Sequence, residues 1–234
     1  MEAISMFVQA DKALSEGIEK ALDTQAISSK HLTLQPGDYL FREGERMPCT
    51  YYISRGLIRL FSDDVEGYSK TVFFYRAGSL IGFQAFNDDS DMISAILCAN
   101  ATPHCEIYAI DTQTFETFLR THGDLCYEVA RYMFQQLVLS TRESVNASIY
   151  PVLQRFSALL LALASALNLP QAPAVIPFSN AELANMLGVH PNSVSNSIVA
   201  LRNAGCVEKQ HTSLVIIDFK KLKSVAKNLV VEND

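Results

Sequence analysis

"NAELANMLGVHPNSVSNSIVALRNAG", residues 180–205, decides how the C-terminal third of this 234-residue chain is read. Ser179 or Asn180 caps a first helix, and Glu182 stands early in it, where the helix dipole favours an acid. Leu183, Met186 and Leu187 form its inward face, and Ala184 is small enough to let a second helix cross closely. Gly188 supplies a tight corner of positive φ. His190-Pro191 opens the second helix with proline at a tolerated position, and Val194, Ile198 and Leu201 follow at i, i+4 and i+7 as its buried stripe. The opposite face presents Asn192, Ser193, Ser195, Asn196 and Asn203, short amides and hydroxyls where a solvated helix ordinarily carries Glu and Lys. "CVEKQHTSLVIID" (206–218) then alternates as a β-hairpin turning at His211–Ser213. Two helices at a corner followed by a wing make a winged helix-turn-helix, a DNA-reading module. A helical hairpin used only for packing is the alternative.

Working outward, Pro151 fits the first turn of a helix that continues to about Leu167. Pro170, Pro173 and Pro177 then mark a loop or short strand pair. Residues 124–150 contain neither Gly nor Pro. As one helix they would span about 40 Å at roughly 1.5 Å per residue. Leu125, Val129, Tyr132, Met133, Gln136, Leu137 and Leu139 fall at spacings of three and four. One such row suits a neighbouring domain and a second suits a coiled-coil seam, so a parallel homodimer is expected, with a core helix of a monomer as the alternative.

From His31 to Asp111 the texture is β. "HLTLQ", "YYISRGLIRLF", "SKTVFFY" and "CEIYAID" are rich in β-branched and aromatic residues. Turn signals separate them at Pro36-Gly37-Asp38, Glu43-Gly44, Arg55-Gly56, Glu66-Gly67, Ala77-Gly78 and Asn87-Asp88. From Gly44 to Gly78 the glycines recur at intervals of 12, 11 and 11, which favours a small barrel or sandwich over βαβ units. "DTQTFETFLRTHG" then starts with an Asp able to cap a helix and stops at His122-Gly123. The expected division is a β module over 1–123, a long helix over 124–150 and a winged domain over 151–234.

Composition bounds the function. Apolar residues make up 49% of the chain, enough to bury real cores. The run "FSALLLALASAL" (156–167) is too short to span a bilayer, and "MEAISMFVQADK" does not resemble a signal peptide. A cytoplasmic protein without a membrane partner is expected. Cysteines 49, 98, 105, 126 and 206 share no C-x-x-C spacing, which favours free thiols. The net charge of −6 hides an asymmetry: residues 151–234 carry seven Lys/Arg against five acids, and the remainder carries 12 against 20. An acidic module is thus joined to one that can approach phosphate.

Taken together, "PGDYLFREGE" (36–45), "YYISRGLIRL" (51–60), "AGSLIG" (77–82) and the helical stretch above resemble the CRP/FNR family of bacterial transcription regulators, over roughly residues 25–225. The resemblance implies an α+β protein: an N-terminal β-roll of the cyclic-nucleotide-binding kind, a long dimerisation helix and a C-terminal winged helix-turn-helix. It implies a homodimer on double-stranded operator DNA, with RNA polymerase as a further partner for an activator. It also implies that the β-roll senses a small effector and the long helices relay that event.

Departures from the family pattern narrow the effector. In the cyclic-nucleotide branch a Gly-Glu-Leu segment binds the ribose, and a later Arg binds the phosphate. Here Gly82 is followed by Phe83 and Gln84, and "MISAILC" places Ile93 where the Arg would lie. A cyclic phosphate would lack its charge partner, which argues against cAMP. No Cys precedes position 49, which argues against the iron–sulfur branch. His104-Cys105 offers a haem ligand, but on a strand one of the pair points inward and the other outward. No cofactor is therefore expected. Phe74, Tyr75, Phe83 and Phe86, with Arg76 nearby and Ser140 and Thr141 on the long helix, resemble the branch that senses halogenated aromatic acids. The rings would stack on the effector and Arg76 would pair with its carboxylate. The expected effector site is Tyr75, Arg76, Gly82, Phe83, Gln84, Phe86, Ser140 and Thr141; plain β-roll core is the alternative for the rings.

In the reading helix, Pro191, Asn192 and Asn196 stand where the cyclic-nucleotide branch has Arg, Glu and Arg. Asn pairs bidentately with adenine, so an A·T-leaning half-site is expected. The expected DNA interface is His190, Pro191, Asn192, Ser193, Ser195 and Asn196. Arg202 and Lys209, extended by Lys220, Lys221 and Lys223, would anchor phosphates. Ser197 replaces an apolar core residue of relatives. Histidines 31, 104, 122, 190 and 211 are scattered, and no Ser-His-Asp set or phosphate-cradling glycine loop occurs, so no enzyme and no metal site are expected. The alternatives are a winged domain that binds a protein partner, a haem-dependent gas sensor and a cupin-like metalloenzyme.

Overall fold

The computed structural model describes residues 6–8, 11–63, 69–83, 97–101, 104–167, 169, 171–210 and 213–226. The chain divides into two compact units. One comprises residues 7–65 and 72–138, the other residues 1–6, 66–71 and 139–234.

The first unit is the β-roll. Its five-stranded sheet has the order β1-β6-β5-β8-β3: β1 (Phe7–Val8), β6 (Ser69–Arg76), β5 (Leu57–Asp63), β8 (Cys98–Ala101) and β3 (Tyr39–Phe41). The four-stranded sheet has the order β2-β9-β4-β7: β2 (Ser29–Leu34), β9 (Cys105–Asp111), β4 (Cys49–Arg55) and β7 (Leu80–Ile81). Ile53, Ile58, Phe61, Ile107 and Ile110 are among its buried core residues. Within "YYISRGLIRLF" the Arg55-Gly56 turn separates β4 from β5, which lie in different sheets. Gly56 has φ +97°, and a Cβ there would lie 2.6 Å from both the His104 carbonyl and Cys105 Sγ, so only glycine turns this corner.

Helices close the roll. Asp11 caps α1 (Lys12–Asp23), and Asp111 caps α2 (Thr112–Thr121) by accepting from the Thr114 amide at 2.9 Å. The long helix α3 runs from Gly123 to Ile149. It buries Val129 and Tyr132, and Arg131 on its flank donates to Asp11 and Glu128. Met133 and Leu137 are exposed instead, as are Tyr127, Phe134, Val138, Val145 and Ile149.

The second unit is built on α4 (Val152–Ala166), whose Phe156, Leu159, Leu160 and Leu163 are buried. Around it lie α5 (Asn180–Leu187), α6 (Pro191–Asn203) and α7 (Phe219–Ala226). A three-stranded sheet completes it, in the order β10 (Ala174–Ile176), β12 (Ser213–Ile216) and β11 (Val207–Gln210). The β11–β12 wing pairs Val207 with Ile216 and Gln210 with Ser213; His211 lies outside the described residues. No helix among the described residues is long and apolar enough to cross a membrane.

Candidate nucleic-acid interface and effector site

Local chemistry builds the reading hairpin. The Ser179 hydroxyl accepts from the Glu182 amide at 3.2 Å, and the Glu182 carboxylate accepts from the Ser179 amide at 2.7 Å, a reciprocal cap for α5. Gly188 ends α5 in the left-handed conformation, with φ +63°. His190 caps α6, its Nδ1 accepting from the Asn192 amide at 3.2 Å, and Pro191 occupies the first turn. Val194, Ser197, Ile198 and Leu201 are buried. The Ser197 hydroxyl donates to the Ser193 carbonyl at 2.8 Å, so a polar residue at this core position is satisfied inside its own helix.

On the other side of α6, Asn192 and Asn196 are exposed at i and i+4, with His190, Arg202 and Lys209 also exposed. Pro191, Ser193 and Ser195 are half-buried, and Ser195 Oγ accepts from Asn180 Nδ2 at 3.4 Å, which ties α6 to α5. Lys220, Lys221 and Lys223 lie exposed on or beside the first turns of α7, where Lys221 pairs with Asp218 at 3.9 Å. One residue escapes a reading focused on polar groups: Val199, 54% exposed, continues the Asn192–Asn196 row at i+7. At helical spacing Val199 falls between Asn196 and Asn203, and that apolar break in a polar row is the signal that identifies it.

Beneath the reader, Arg155 on α4 donates through Nη1 to the Leu187 carbonyl at 3.4 Å, at the end of α5, while its Nε is buried without a partner. Burial raises the Glu143 carboxyl from its usual value of 4.5, and the Arg155 guanidinium opposes that rise.

In the β-roll the expected effector residues separate. Phe73 and Tyr75 share one face of β6, their rings 6.1 Å apart edge to face. Phe74 and Arg76 share the other, where Phe7 stacks on Phe74 at 5.2 Å and the Arg76 guanidinium lies 5.0 Å from the Phe7 ring centre. Arg76, the expected partner of an effector carboxylate, thus shares a face with Phe74 and not with Tyr75, because neighbouring residues of a strand point to opposite faces. Gly82 packs against the Cys49 carbonyl and the Tyr51 ring, and the half-buried Phe83 lies 6.2 Å from the Tyr132 ring. Gln84, Phe86 and Ile93 lie outside the described residues. Ser140 and Thr141 are exposed on α3, in the part of that helix grouped with the C-terminal unit.

Two further residues, Tyr132 and Ser79, belong with the Tyr75 ring. Tyr132 is buried, and its hydroxyl donates to the Leu80 carbonyl at 2.9 Å. Burial and the neighbouring Tyr75 push its phenol up, and burial alone pushes up that of Tyr75. The buried Ser79 hydroxyl lies beside the Tyr132 oxygen and opposes part of the rise at Tyr132. Gln136, one turn beyond Tyr132, has a buried Oε1 that is unpartnered. The spacing of Tyr132 and Gln136 marked them as one helix face, but only the fold brings Ser79 and Tyr75 to Tyr132. Among the described residues no group of three or more His, Cys, Asp or Glu is placed to hold a metal ion.

Two family models match in tandem: the cyclic nucleotide-binding domain over residues 31–122 and the Crp-like helix-turn-helix domain over residues 154–225. A β-roll of that kind joined to such a reader defines a DNA-binding transcription regulator. The chain is 22% identical over 180 residues to the cAMP-activated global transcriptional regulator CRP of Haemophilus influenzae, covering 76% of this chain and 79% of that protein. Its fold resembles that of CLP, a c-di-GMP responsive global regulator from Xanthomonas campestris, with TM-score 0.74, 16% identity and coverage of 87% and 99% of the two chains. It also resembles CprK complexed with OCPA, with TM-score 0.64, 17% identity and coverage of 93% and 98%. The chain belongs to the CRP/FNR family.

Proposed function

We propose that this regulator acts as a parallel homodimer, reads an A·T-leaning half-site through Asn192 and Asn196, and is controlled by a small effector other than cAMP in its β-roll. The exposed amide pair on α6 carries the reading. Each Asn can take adenine N6 and N7 bidentately, and Val199 on the same row suits a thymine methyl group. The positive end of the α6 dipole, with Arg202 and Lys209 exposed nearby, suits phosphate.

The exposed apolar residues Tyr127, Phe134, Leu137, Val138, Val145 and Ile149 on α3 support the dimer, since a stripe of that length calls for a partner surface. For the effector, the rings of Tyr75, Phe83 and Tyr132 favour an aromatic or apolar body. Ile93 and Gln84 offer no charge to a cyclic phosphate. Haem is disfavoured, because Cys105 Sγ is held by the Leu57 amide and carbonyl, both at 3.3 Å, and His104 is exposed beside Glu106.

Selection of bound sequences from a random duplex pool tests the reading, using the full-length protein with and without small aromatic compounds and cyclic AMP. An enriched palindrome with A·T pairs in each half is expected. No enrichment under any condition overturns the DNA reading and favours a protein partner for the winged domain.

A further inference from the structure

We infer that His190 is a positioning residue that gates operator reading by its proton: the neutral imidazole caps α6 and sets the backbone at Asn192, and protonation releases it. This inference rests on the reading of α6 as the operator-reading helix and adds a regulation of that same site.

The first observation is the bond itself. Proline holds the residue before it in extended backbone, and His190 has φ −63° and ψ 142°, as a cap requires. Pro191 brings no N–H, so the first amide of α6 in need of an acceptor is that of Asn192. His190 Nδ1 accepts from it at 3.2 Å, while the His190 carbonyl accepts from the Ser193 amide at 2.9 Å. A ring nitrogen that accepts carries no proton, so this bond forms only with the imidazole neutral and its proton on Nε2. Protonation turns Nδ1 into a donor facing a donor. It also adds a cation at the positive end of the helix dipole.

The second observation is a contrast with the other caps. Asp11 and Asp111 cap α1 and α2, Ser179 caps α5, and Asp218 accepts from the Lys221 amide at the start of α7. Carboxylates and hydroxyls keep their acceptor lone pairs through mild acid, whereas histidine gains a proton between about pH 5 and 8. Among these caps, the one on the reading helix is the one that mild acid removes. The charged groups around the corner do not replace it. The Lys70 chain lies against Gly188, and Arg155 of α4 donates to the Leu187 carbonyl; both are cations and cannot accept. Glu143 of α3 interacts with those two cations, and Glu182 of α5 accepts from the Ser179 amide. Arg202 of α6, with Glu208 and Lys209 of β11, stands at the other end of the helix. Two modes of DNA binding then respond differently. An imidazolium attracts any phosphate, while a frayed first turn takes Asn192 from the base edge it reads. Acid lowers discrimination without lowering affinity for DNA as such.

The test measures the affinity of the full-length protein for the duplex enriched by selection and for a scrambled duplex of the same composition. Both are titrated at one salt concentration, at about pH 8 and about pH 5.5. The ratio of the two affinities is expected to fall about fivefold in acid for the wild type, the loss of one helix cap. His190→Asn keeps a capping side chain without a titratable ring, and its ratio should not change with pH. An equal fall in wild type and His190→Asn overturns the inference. In parallel, the Asn192 amide resonance of isotope-labelled protein without DNA should follow the titration of the His190 ring. An amide that ignores pH overturns the cap. An amide that titrates beside an unchanged ratio overturns the gate and counts against Asn192 as a reader. Failure to enrich any duplex removes the operator reading and the gate with it, while the amide titration still decides the cap.

Discussion

The reading helix and the Tyr75–Tyr132 cluster of the β-roll differ in how far apart their residues lie in sequence. On α6, Asn192, Asn196 and Val199 fall within eight residues of one another, and a single helical period places them on one face. In the cluster, Tyr75 on β6, Ser79 just before β7 and Tyr132 on α3 are separated by more than fifty residues of sequence. A local period is legible from one segment. Such a cluster needs the phase of a strand and the identity of whatever packs across it. The β-roll shows why: Tyr75 and Arg76 are neighbours in sequence and lie on opposite faces of β6.

The largest effect that sharpens this contrast is expected at a β-roll corner. Gly56→Ala combines a positive φ with contacts near 2.6 Å from His104 and Cys105. It should cost on the order of 3 kcal/mol of β-roll stability, read as a lower denaturant midpoint for the N-terminal unit. A near-wild-type midpoint would show that the corner relaxes.

In the reader, Asn192→Ala and Asn196→Ala should each weaken operator binding by about 1–3 kcal/mol while leaving thermal stability unchanged, since both side chains are exposed. Unchanged affinity in both would break the assigned register. Ser179→Ala removes the reciprocal cap of α5 and should cost about 1 kcal/mol of stability, measurable by denaturant unfolding of the full chain followed through the winged domain. Val199→Ala should cost about 0.8 kcal/mol or less of operator affinity. Replacing thymines by deoxyuridine one at a time should reveal a single position per half-site whose methyl group matters to the wild type and not to the variant.

The smallest effect concerns pH. Burial holds the folded pKa of Glu143 above its ordinary value of 4.5, with Arg155 opposing the rise. The protonated form is therefore the one the fold favours. Its contribution is fully present below the unfolded pKa and is lost as pH rises through the raised folded value. Glu143→Gln should accordingly gain melting temperature over wild type near neutral pH and gain least near pH 4, and an equal gain at both would contradict the shift.

Much of the architecture was legible because its signals are covalent and local. The Asp111 cap, the Gly- and Pro-free stretch after Gly123, the Gly188 corner and the alternating wing all appear where their chemistry requires. Shorter elements were not. β3, β7 and β10 are two or three residues long and carry too few positions for an alternation to show. The turn at Arg55-Gly56 was legible, but composition does not report that the chain leaves one sheet for another there. The exposed stripe on α3 was legible only in part: Leu137 was marked by its spacing, whereas Tyr127 and Phe134 lie outside the row that spacing selected.

Asn196 and Asn192 are expected to read adenine directly. The most direct measurement is a cycle on the selected duplex, replacing each adenine in turn by 7-deaza-adenine, which lacks the N7 acceptor, and titrating wild type and Asn196→Ala in parallel. At one adenine per half-site, the substitution should weaken wild-type binding about tenfold and leave the variant unaffected. An equal loss in both proteins at every adenine, or no loss in either, would contradict the claim.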